Sequence, residues 1–250
     1  MGKTTYKPND PDLQNICKLI ENASGRYSAR DIFYDVVELM ALTLAMTTDR
    51  RNDKSVHKAY QSLIEKHGED KEDSTHYMGR IQYEIMNLFF KKREAKDIID
   101  IFGPLHSAFN MGDSGLGQFF TPWHISVFMG KCILSKEDFA GDKFKTLSEP
   151  TCGAGGMILA AAQVVNEYRL DYREKLVAYG SDIDKLCCMM TYVQCSLYQI
   201  PAMIEHANAL SMEPVGSRWF TPAFYQMGWP EKLGFNKASE TEEEREEKAS

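Results

Sequence analysis

Glycines and carboxylates stand close to predicted strand ends in the second half of the chain, where they could bind a nucleoside-containing ligand. The segment SEPTCGAGG, residues 148–156, comes directly before an apolar run that predicts a helix. Glycines at such a turn allow positive φ angles and a close approach of the backbone to a ligand, and a helix N-terminus offers free N–H groups. Asp182 and Asp184 end the next predicted strand. A carboxylate at that place can accept hydrogen bonds from both hydroxyls of a ribose.

The glycine spacing excludes two common nucleotide sites. It is not the GxGxxG pattern of dinucleotide enzymes, and no lysine follows the glycines as it does in a P-loop. The N-terminal MGKTT lacks the strand and the leading glycine of a P-loop. A glycine turn alone is also typical of a helix that simply packs on a strand. The acid after the next strand and the preceding GQFFTP, residues 117–122, make a ligand site the more specific interpretation.

Predicted strands and helices alternate after residue 105, which indicates a parallel sheet with helical connections. The strands are predicted in KTLSEP (145–150), KLVAYGSDID (175–184) and PAMIEHANAL (201–210). The helices between and before them are predicted in TPWHISVFMGKCIL, MILAAAQVVNEY and KLCCMMTYVQCSLYQ.

The first hundred residues predict a helical bundle. Apolar residues recur at helical spacing in ARDIFYDVVELMALTLAM, and Ser28 is suited to cap its N-terminus. SVHKAYQSLIEKHG predicts a second helix that ends at Gly68, and a third is predicted from residue 76 to Gly103-Pro104. We expect the methionines and aromatic residues of these helices to form an apolar core.

Composition narrows the class of protein. The chain has 250 residues, 43% of them hydrophobic and 26% charged, and no window resembles a membrane span or the apolar core of a signal peptide. We therefore expect a cytoplasmic protein. Its six cysteines form no paired CxxC motifs, which favours reduced thiols and no metal site. The net charge of −7 argues against a stand-alone nucleic-acid binder but allows a local basic patch or a basic partner.

Four segments, GQFFTP, EPTCGAGGM, YGSDID and ANAL, resemble in order and spacing the modification subunits of type I restriction systems. More broadly they resemble the adenine-N6 DNA methyltransferases that use S-adenosylmethionine. The similarity covers about residues 105 to 225. It implies an α/β fold with an N-terminal helical domain, 1–104, before a truncated Rossmann-like methyltransferase domain, 105–235. The glutamate-rich residues 236–250 would form an acidic, disordered tail.

The resemblance also implies which residues bind S-adenosylmethionine. The methionine part of the cofactor would be lined by Phe119, Phe120, Thr121, Pro122, Glu149, Pro150, Thr151, Cys152 and Gly153, with Gly155 and Gly156 opening the wall. Asp182 would bind the ribose hydroxyls, and Ile183 would pack on the adenine ring. Asn208, followed by Ala209, stands where the family usually has an aspartate that accepts from the adenine amino group. An amide carbonyl can also accept, although Asn208 is equally a residue typical of a turn at a strand end.

The catalytic motif departs from the family pattern. The family uses [NDS]-P-P-[YFW] after its fourth strand to hold the target amine and to stack on the flipped base. No two prolines are adjacent in this chain, and the nearest candidate is Thr221-Pro222-Ala223-Phe224. We expect Thr221, Pro222 and Phe224 to form a weakened catalytic loop. The other interpretation is an ordinary turn with proline at its second position.

Three functions remain open from the sequence. The chain could bind S-adenosylmethionine and methylate weakly or not at all, as a subunit in restriction and modification. It could be an active adenine-N6 DNA methyltransferase whose DNA specificity comes from a partner, or a structural relic with a closed cofactor site. Few residues follow Phe224, so we expect at most one further strand and a sheet edge that needs a cover. A second copy of the chain, forming a homodimer, or a specificity subunit are the expected partners, with no membrane contact.

Overall fold

The computed structural model describes residues 7–48, 54–68, 74–110, 120–211 and 213–235. Helices form its first part, as the sequence predicts. They are α1 (Pro11–Ala23), α2 (Ala29–Thr48), α3 (Lys54–Gly68), α4 (Ser74–Glu94) and α5 (Phe102–Asn110). Ser28 caps α2 as predicted, because its Oγ accepts a hydrogen bond from Asp31 N at 3.1 Å while Asp31 Oδ2 accepts from Ser28 N at 3.2 Å.

Strands and helices then alternate along the second part of the chain. The helices are α6 (Trp123–Ile133), α7 (Gly156–Glu167), α8 (Tyr172–Lys175), α9 (Lys185–Leu197), α10 (Pro222–Gln226) and α11 (Trp229–Leu233), with a 3-10 turn over Lys136–Phe139. The strands are β1 (Lys145–Glu149), β2 (Leu176–Asp182), β3 (Ala202–Asn208) and β4 (Glu213–Phe220). They form one sheet in the order β1-β2-β3-β4.

The sheet confirms the parallel arrangement and adds a strand. β1 pairs in parallel with β2, and β2 in parallel with β3, so Glu149 lies opposite Gly180 and Asp182 opposite His206. β4 returns antiparallel to β3, with Met203 opposite Phe220. The direction of β4 matters for function, because it carries the chain back to the amino ends of the parallel strands.

The third predicted helix is two helices, so that prediction is wrong at its end. α4 ends at Glu94, where Lys96 adopts a positive φ of 54° and Asp97 N donates to Lys92 O at 2.9 Å. This bond closes the C-terminus of α4 and turns the chain away. Pro104 does not end a helix: it lies in the first turn of α5, where a backbone N–H is not needed.

The apolar core is continuous from the helices to the sheet. Buried residues of α9 run from Leu186 to Ser196, because α9 lies between α2 and the sheet. Phe33 of α2 and Phe102 of α5 belong to the same buried cluster as Ile204 of β3. The predicted domain boundary at residue 104 falls within α5, and the division into two domains stays a prediction.

α6 leaves an apolar stripe in solvent: Ile125, Phe128, Met129 and Ile133 are all more than 40% exposed. The described helices include none that is both long and apolar enough to cross a membrane. All six cysteines are free thiols. Among the described residues, no group of three or more histidine, cysteine or carboxylate side chains could hold a metal ion.

Candidate functional site

The carboxyl ends of three parallel strands meet at a cavity. Glu149, Asp182 and Asn208 end β1, β2 and β3 at the same edge of the sheet. A cavity of about 670 Å³ opens there. In open α/β sheets, ligands bind outside the carboxyl ends of the strands, and pockets for small molecules usually measure about 300–1,000 Å³.

The glycine turn between β1 and α7 forms one wall of this cavity. Gly153 and Gly155 have φ angles of 54° and 96°, in the region that favours glycine. A Cβ on Gly153 would lie 2.9 Å from the ring of Phe120, and a Cβ on Gly155 would lie 3.1 Å from Thr191 Oγ1. Both glycines are therefore required by close packing as well as by conformation.

The turn also holds Asp182 in place. Gly153 N donates to Asp182 Oδ2 at 3.0 Å, and Asp184 N donates to Asp182 Oδ1 at 2.9 Å. Asp184 in turn caps α9 by accepting from Leu186 N at 2.8 Å. The adjacent Ile183 is an apolar side chain left 56% exposed. A fixed carboxylate beside an exposed apolar side chain suits the ribose and the base of a nucleoside.

Asn208 lies on the cavity wall, but its carbonyl is already in use. Asn208 Oδ1 accepts from Leu210 N at 2.9 Å and from Ser211 N at 3.4 Å, which is the turn geometry that the sequence left open as an alternative. An amide carbonyl has two lone pairs, and the side-chain NH2 adds two donors. Contact of Asn208 with an adenine ring stays a prediction.

Most of the predicted binding residues surround the cavity. Those on its wall are Phe120, Thr121, Pro150, Thr151, Cys152, Gly153, Gly156, Asp182, Ile183, Asn208 and Ala209. Pro122, Glu149 and Gly155 are not on the wall: Pro122 lies at the start of α6, Gly155 packs behind the turn, and Glu149 is half-buried at the end of β1. Phe119 lies outside the described residues. The role of each residue in binding stays a prediction.

Burial changes the acid–base chemistry around the turn. The pKa of Glu149 is raised, mainly because burial disfavours its charged form. The pKa of Cys152 is raised well above its ordinary value, first by its hydrogen-bonded contact with Cys188 and then by burial. Cys152 and Cys187 therefore face the cavity as neutral thiols, because burial also raises the pKa of Cys187. A thiolate nucleophile is not available on this wall.

The sequence interpretation missed several residues of the wall. They are Asp100, Ser126, Ala154, Met157, Cys187 and Leu210. Asp100 was hidden because the region before α5 was predicted as continuous helix. The signal that could have found it is the spacing Asp-x-x-Gly-Pro, since an acid three residues before glycine is suited to cap a new helix. Gly103 N indeed donates to Asp100 Oδ1 at 2.9 Å.

The predicted catalytic residues lie at the opposite edge of the sheet, which contradicts that prediction. Thr221 directly follows β4 and lies at the amino end of β3, where its Oγ1 accepts from Ala202 N at 2.9 Å and donates to Ile200 O at 2.8 Å. Pro222 is the first residue of α10. The segment is an ordinary helix start, with Phe224 N donating to Thr221 O at 3.0 Å.

Phe224 cannot stack on a base from this position. It is only 2% exposed and packs with Val177 and Trp229 against one face of the sheet. Its ring also lies 5.0 Å from that of Phe220, measured between centroids. The physical reason for the error is the antiparallel direction of β4: a segment that follows an antiparallel strand returns to the amino edge, whereas the cavity lies at the carboxyl edge.

Comparison with known proteins identifies one family. The model of the family described as N-6 DNA Methylase matches residues 94–221, just over half of the chain. The chain belongs to the N-6 DNA methylase family. The match includes Asp100, the glycine turn, Asp182 and Asn208, and thus every strand end around the cavity.

The chain matches individual relatives over only part of their length. The chain is 27% identical over 207 residues to the methylase subunit of the type I restriction enzyme MpnII of Mycoplasma pneumoniae, covering 78% of this chain and 35% of that subunit. It therefore spans about a third of that curated relative. A type I restriction-modification methyltransferase subunit from Streptococcus thermophilus has 16% identity and a TM-score of 0.38, covering 82% of this chain and 59% of that one.

A second solved structure is similar to the same degree. It is a class I S-adenosylmethionine-dependent methyltransferase from Listeria monocytogenes with 16% identity and a TM-score of 0.39, over 76% of this chain and 55% of that one. Both TM-scores are low, so membership of the N-6 DNA methylase family rests on the sequence match.

Family membership makes S-adenosylmethionine the cofactor of this chain, and the cavity fits it. Its volume is within the range of small-molecule sites. Asp182 offers a carboxylate acceptor of the kind that binds ribose hydroxyls, beside the exposed Ile183. Two further polar groups on the wall, on Asp100 and Ser126, suit the polar amino-acid end of the molecule.

Proposed function

We propose that this chain binds S-adenosylmethionine in the cavity at the carboxyl ends of β1, β2 and β3. The proposal extends to a place in restriction and modification, as a methylase-family subunit that transfers methyl groups weakly or not at all by itself. The observation that carries the binding proposal is Asp182, which the glycine turn holds through Gly153 N on the wall of a cavity of matching size.

The chain's own residues would orient the cofactor. Asp182 would accept from the ribose hydroxyls, and Ile183 would cover one face of the adenine ring. Phe120 and Thr121 would lie along the methionine part, where the ring of Phe120 packs against Gly153. When bound, S-adenosylmethionine supplies a methyl group activated by its sulfonium centre.

The position of Thr221 and Phe224 supports weak catalysis. Methylation of an exocyclic amine on a base needs polar acceptors for the amine and a surface on which the flipped base can stack. On the described part of the cavity wall, Phe120 is the single aromatic side chain, and it is packed against Gly153 and His106. Thr221 and Phe224 are committed to internal contacts at the other edge of the sheet.

A partner polypeptide would supply DNA recognition and the groups that hold the target amine. The type I relative is by its name a subunit, and this chain spans about a third of it. The net charge of −7 also argues that the chain does not hold the DNA backbone alone, because that contact is dominated by basic side chains. Light scattering tests which partner is used. A dimer would indicate a second copy of the chain, whereas a monomer would indicate a different polypeptide.

Calorimetry with S-adenosylhomocysteine tests the binding proposal. We expect one site per chain for the wild type and a loss of about 10- to 100-fold in affinity for Asp182→Asn, because the ribose loses a charged acceptor. Asp142→Asn is the matched control, since Asp142 is exposed in the turn before β1. The proposal is wrong if the wild type has no measurable affinity, or if both variants bind as the wild type does.

Transfer of labelled methyl groups to unmethylated DNA tests the catalytic part. We expect the chain alone to give no more product than Asp182→Asn, which lacks the ribose acceptor. Sustained turnover by the wild-type chain alone would contradict the proposed weak catalysis while leaving cofactor binding intact. In that case the Phe224→Ala variant should retain the turnover of its folded fraction, because Phe224 lies away from the cavity.

A further inference from the structure

Besides Asp182, two buried polar side chains lie on the cavity wall, those of Asp100 and Ser126. Asp100 lies on the short link between α4 and α5, is 8% exposed and lines the cavity. Ser126 of α6 lines the same cavity and is fully buried. Ser126 Oγ has no hydrogen-bond partner among the residues that the structure describes.

A network of hydrogen bonds fixes one side of the Asp100 carboxylate. Asp100 Oδ1 accepts from Gly103 N and from Gln194 Nε2, both at 2.9 Å. Gln194 Nε2 also donates to Ala154 O of the glycine turn at 2.6 Å, while its Oε1 accepts from Ile101 N at 2.8 Å. Asp100 is thus tied through Gln194 to the turn that also holds Asp182.

The other oxygen of Asp100 and the hydroxyl of Ser126 approach the same point. A Cβ on Gly156 would lie 3.7 Å from Asp100 Oδ2 and 3.6 Å from Ser126 Oγ. A Cβ on Gly103 would collide with the Asp100 carboxylate, so glycine is needed there for the carboxylate to occupy its place. The two oxygens therefore converge on the space beside Gly156, at the wall of the cavity.

This convergence suits a cation that can also donate hydrogen bonds. None of the ion pairs among the described residues involves Asp100. Burial raises the pKa of Asp100, although hydrogen bonds from Gln194, Gly103 and Phe102 act in the opposite direction. A buried carboxylate without a countercharge and a buried hydroxyl without a partner are both unfavourable, and one ammonium group would satisfy both.

We propose that Asp100 and Ser126 form the subsite that holds the α-ammonium group at the methionine end of the cofactor. This inference rests on the proposed binding of S-adenosylmethionine and adds a specific contact to it. The ammonium nitrogen donates one hydrogen bond to Asp100 Oδ2 and one to Ser126 Oγ. The turn separates the two ends of the ligand, since Gly153 contacts Asp182 while Ala154 and Gly156 face the Asp100 network.

Two ligands and two proteins test this contact in one cycle. S-adenosylhomocysteine carries the ammonium group, whereas 5′-methylthioadenosine keeps the nucleoside and the thioether without the amino-acid end. Asp100→Asn keeps the size and the acceptor for Gly103 and Gln194 but removes the charge. We expect Asp100→Asn to weaken S-adenosylhomocysteine by about 10- to 100-fold and to change 5′-methylthioadenosine by no more than about twofold.

The cycle also separates the failure of this inference from that of the proposed function. A wild-type protein that binds both ligands, with equal changes or no change in Asp100→Asn, would overturn the ammonium contact alone. A wild-type protein that binds neither ligand would overturn the proposed function and this inference together. The expected selective loss supports both.

The pH dependence of binding is a readout that a purely structural Asp100 would not change. Because the pKa of Asp100 in the free protein is raised, protonation at lower pH removes the charge that the ammonium needs. We expect the affinity of the wild type for S-adenosylhomocysteine to fall as pH decreases through that pKa, and the affinity for 5′-methylthioadenosine to stay level. Equal pH profiles for the two ligands would contradict the proposal.

Ser126→Ala keeps the test valid even if Asp100→Asn does not fold. Removing a buried hydroxyl that has no described partner should leave the free energy of unfolding unchanged or higher. We expect the same variant to bind S-adenosylhomocysteine about 2- to 10-fold more weakly, because the ammonium group loses one neutral hydrogen-bond acceptor. A loss of stability with unchanged affinity would show a structural hydroxyl and would overturn its role here.

Discussion

Side chains at the two edges of the sheet differ in their hydrogen-bond partners and in their exposure. At the amino edge, Thr221 Oγ1 both accepts and donates within the fold, and Phe224 of α10 packs with Val177 and Trp229. At the carboxyl edge, Ser126 Oγ has no described partner, Asp100 faces a cavity and Ile183 is exposed. Buried polar groups without a partner in the fold, where they line a cavity, are candidates for contact with a ligand.

This difference shows that a short motif takes its function from the edge at which the fold places it. Thr221-Pro222-Ala223-Phe224 has the residue types of a base-binding loop, yet its position makes it the start of α10. Asp100 belongs to no motif that the sequence interpretation used, yet it lies on the cavity wall. The following predictions ask whether the two edges respond as differently as their contacts indicate.

Phe224→Ala should produce the largest change, and it should be a change in stability alone. Removal of a fully packed aromatic side chain from its contacts with Val177 and Trp229 is expected to lower the free energy of unfolding by about 3–5 kcal/mol. Phe128→Ala on the exposed face of α6 is the control and should stay within about 0.5 kcal/mol. Urea unfolding measures both. A weaker affinity of folded Phe224→Ala for S-adenosylhomocysteine would contradict the separation of the edges.

Gly155→Ala should affect both stability and ligand affinity, because Gly155 supports the cavity from behind. Its φ of 96° is strained for alanine, and the new Cβ would meet Thr191. We expect a loss of about 2–3 kcal/mol in the free energy of unfolding and weaker binding of S-adenosylhomocysteine. Gly141→Ala is the matched control, with a φ of 65° but open space around it, and should cost about 1 kcal/mol with no change in affinity. Equal effects of the two substitutions would contradict the packing argument.

Thr221→Val compared with Thr221→Ser tests the structural role of the hydroxyl. Valine leaves Ala202 N and Ile200 O without their partner, which should lower the free energy of unfolding by about 1–3 kcal/mol. Serine keeps the hydroxyl and should retain most of that stability. Thermal or urea unfolding distinguishes the two. Neither variant should change the affinity for S-adenosylhomocysteine. A change in that affinity would show that Thr221 contributes to ligand binding.

Asp100 should give the smallest effect. In the ligand-free protein, it should make the free energy of unfolding depend on pH. Its pKa is raised in the folded state, so the folded chain binds the proton more tightly than the unfolded chain does. The stability of the wild type relative to Asp100→Asn should therefore fall as pH rises from the unfolded pKa to the folded pKa, and then stay level. Urea unfolding of both proteins across acidic pH measures the difference. A rise in relative stability over the same interval would show that the charged carboxylate is already well paired.

Local pattern was enough to predict the parallel strands and the glycine turn that borders the cavity. The alternation of strands and helices predicted the parallel arrangement of β1, β2 and β3, and the glycine turn predicted the positive φ angles found at Gly153 and Gly155. Asp182 was predicted because a carboxylate at the end of the strand after a glycine turn can accept hydrogen bonds from both hydroxyls of a ribose. These features follow from residues close together in sequence.

Long-range direction and burial could not be predicted in the same way. The antiparallel return of β4, which moves Thr221 to the amino edge, depends on how β4 pairs with β3 and leaves no signal within the tetrapeptide. Asp100 was not predicted as a site residue, because the helical spacing of apolar residues continues through the link between α4 and α5. The positive φ of Lys96, which turns the chain away after α4, cannot be recognised from that spacing. Its partner Gln194 lies on α9, and only the tertiary fold brings the two together.

A crystal structure of the complex with S-adenosylhomocysteine tests the central claim most directly. The account predicts the ribose at Asp182, the adenine over Ile183 and the ammonium group between Asp100 and Ser126, with Phe224 still packed on Val177 and Trp229. A ligand bound at Thr221 and Phe224, or an empty cavity in crystals saturated with the ligand, would contradict it.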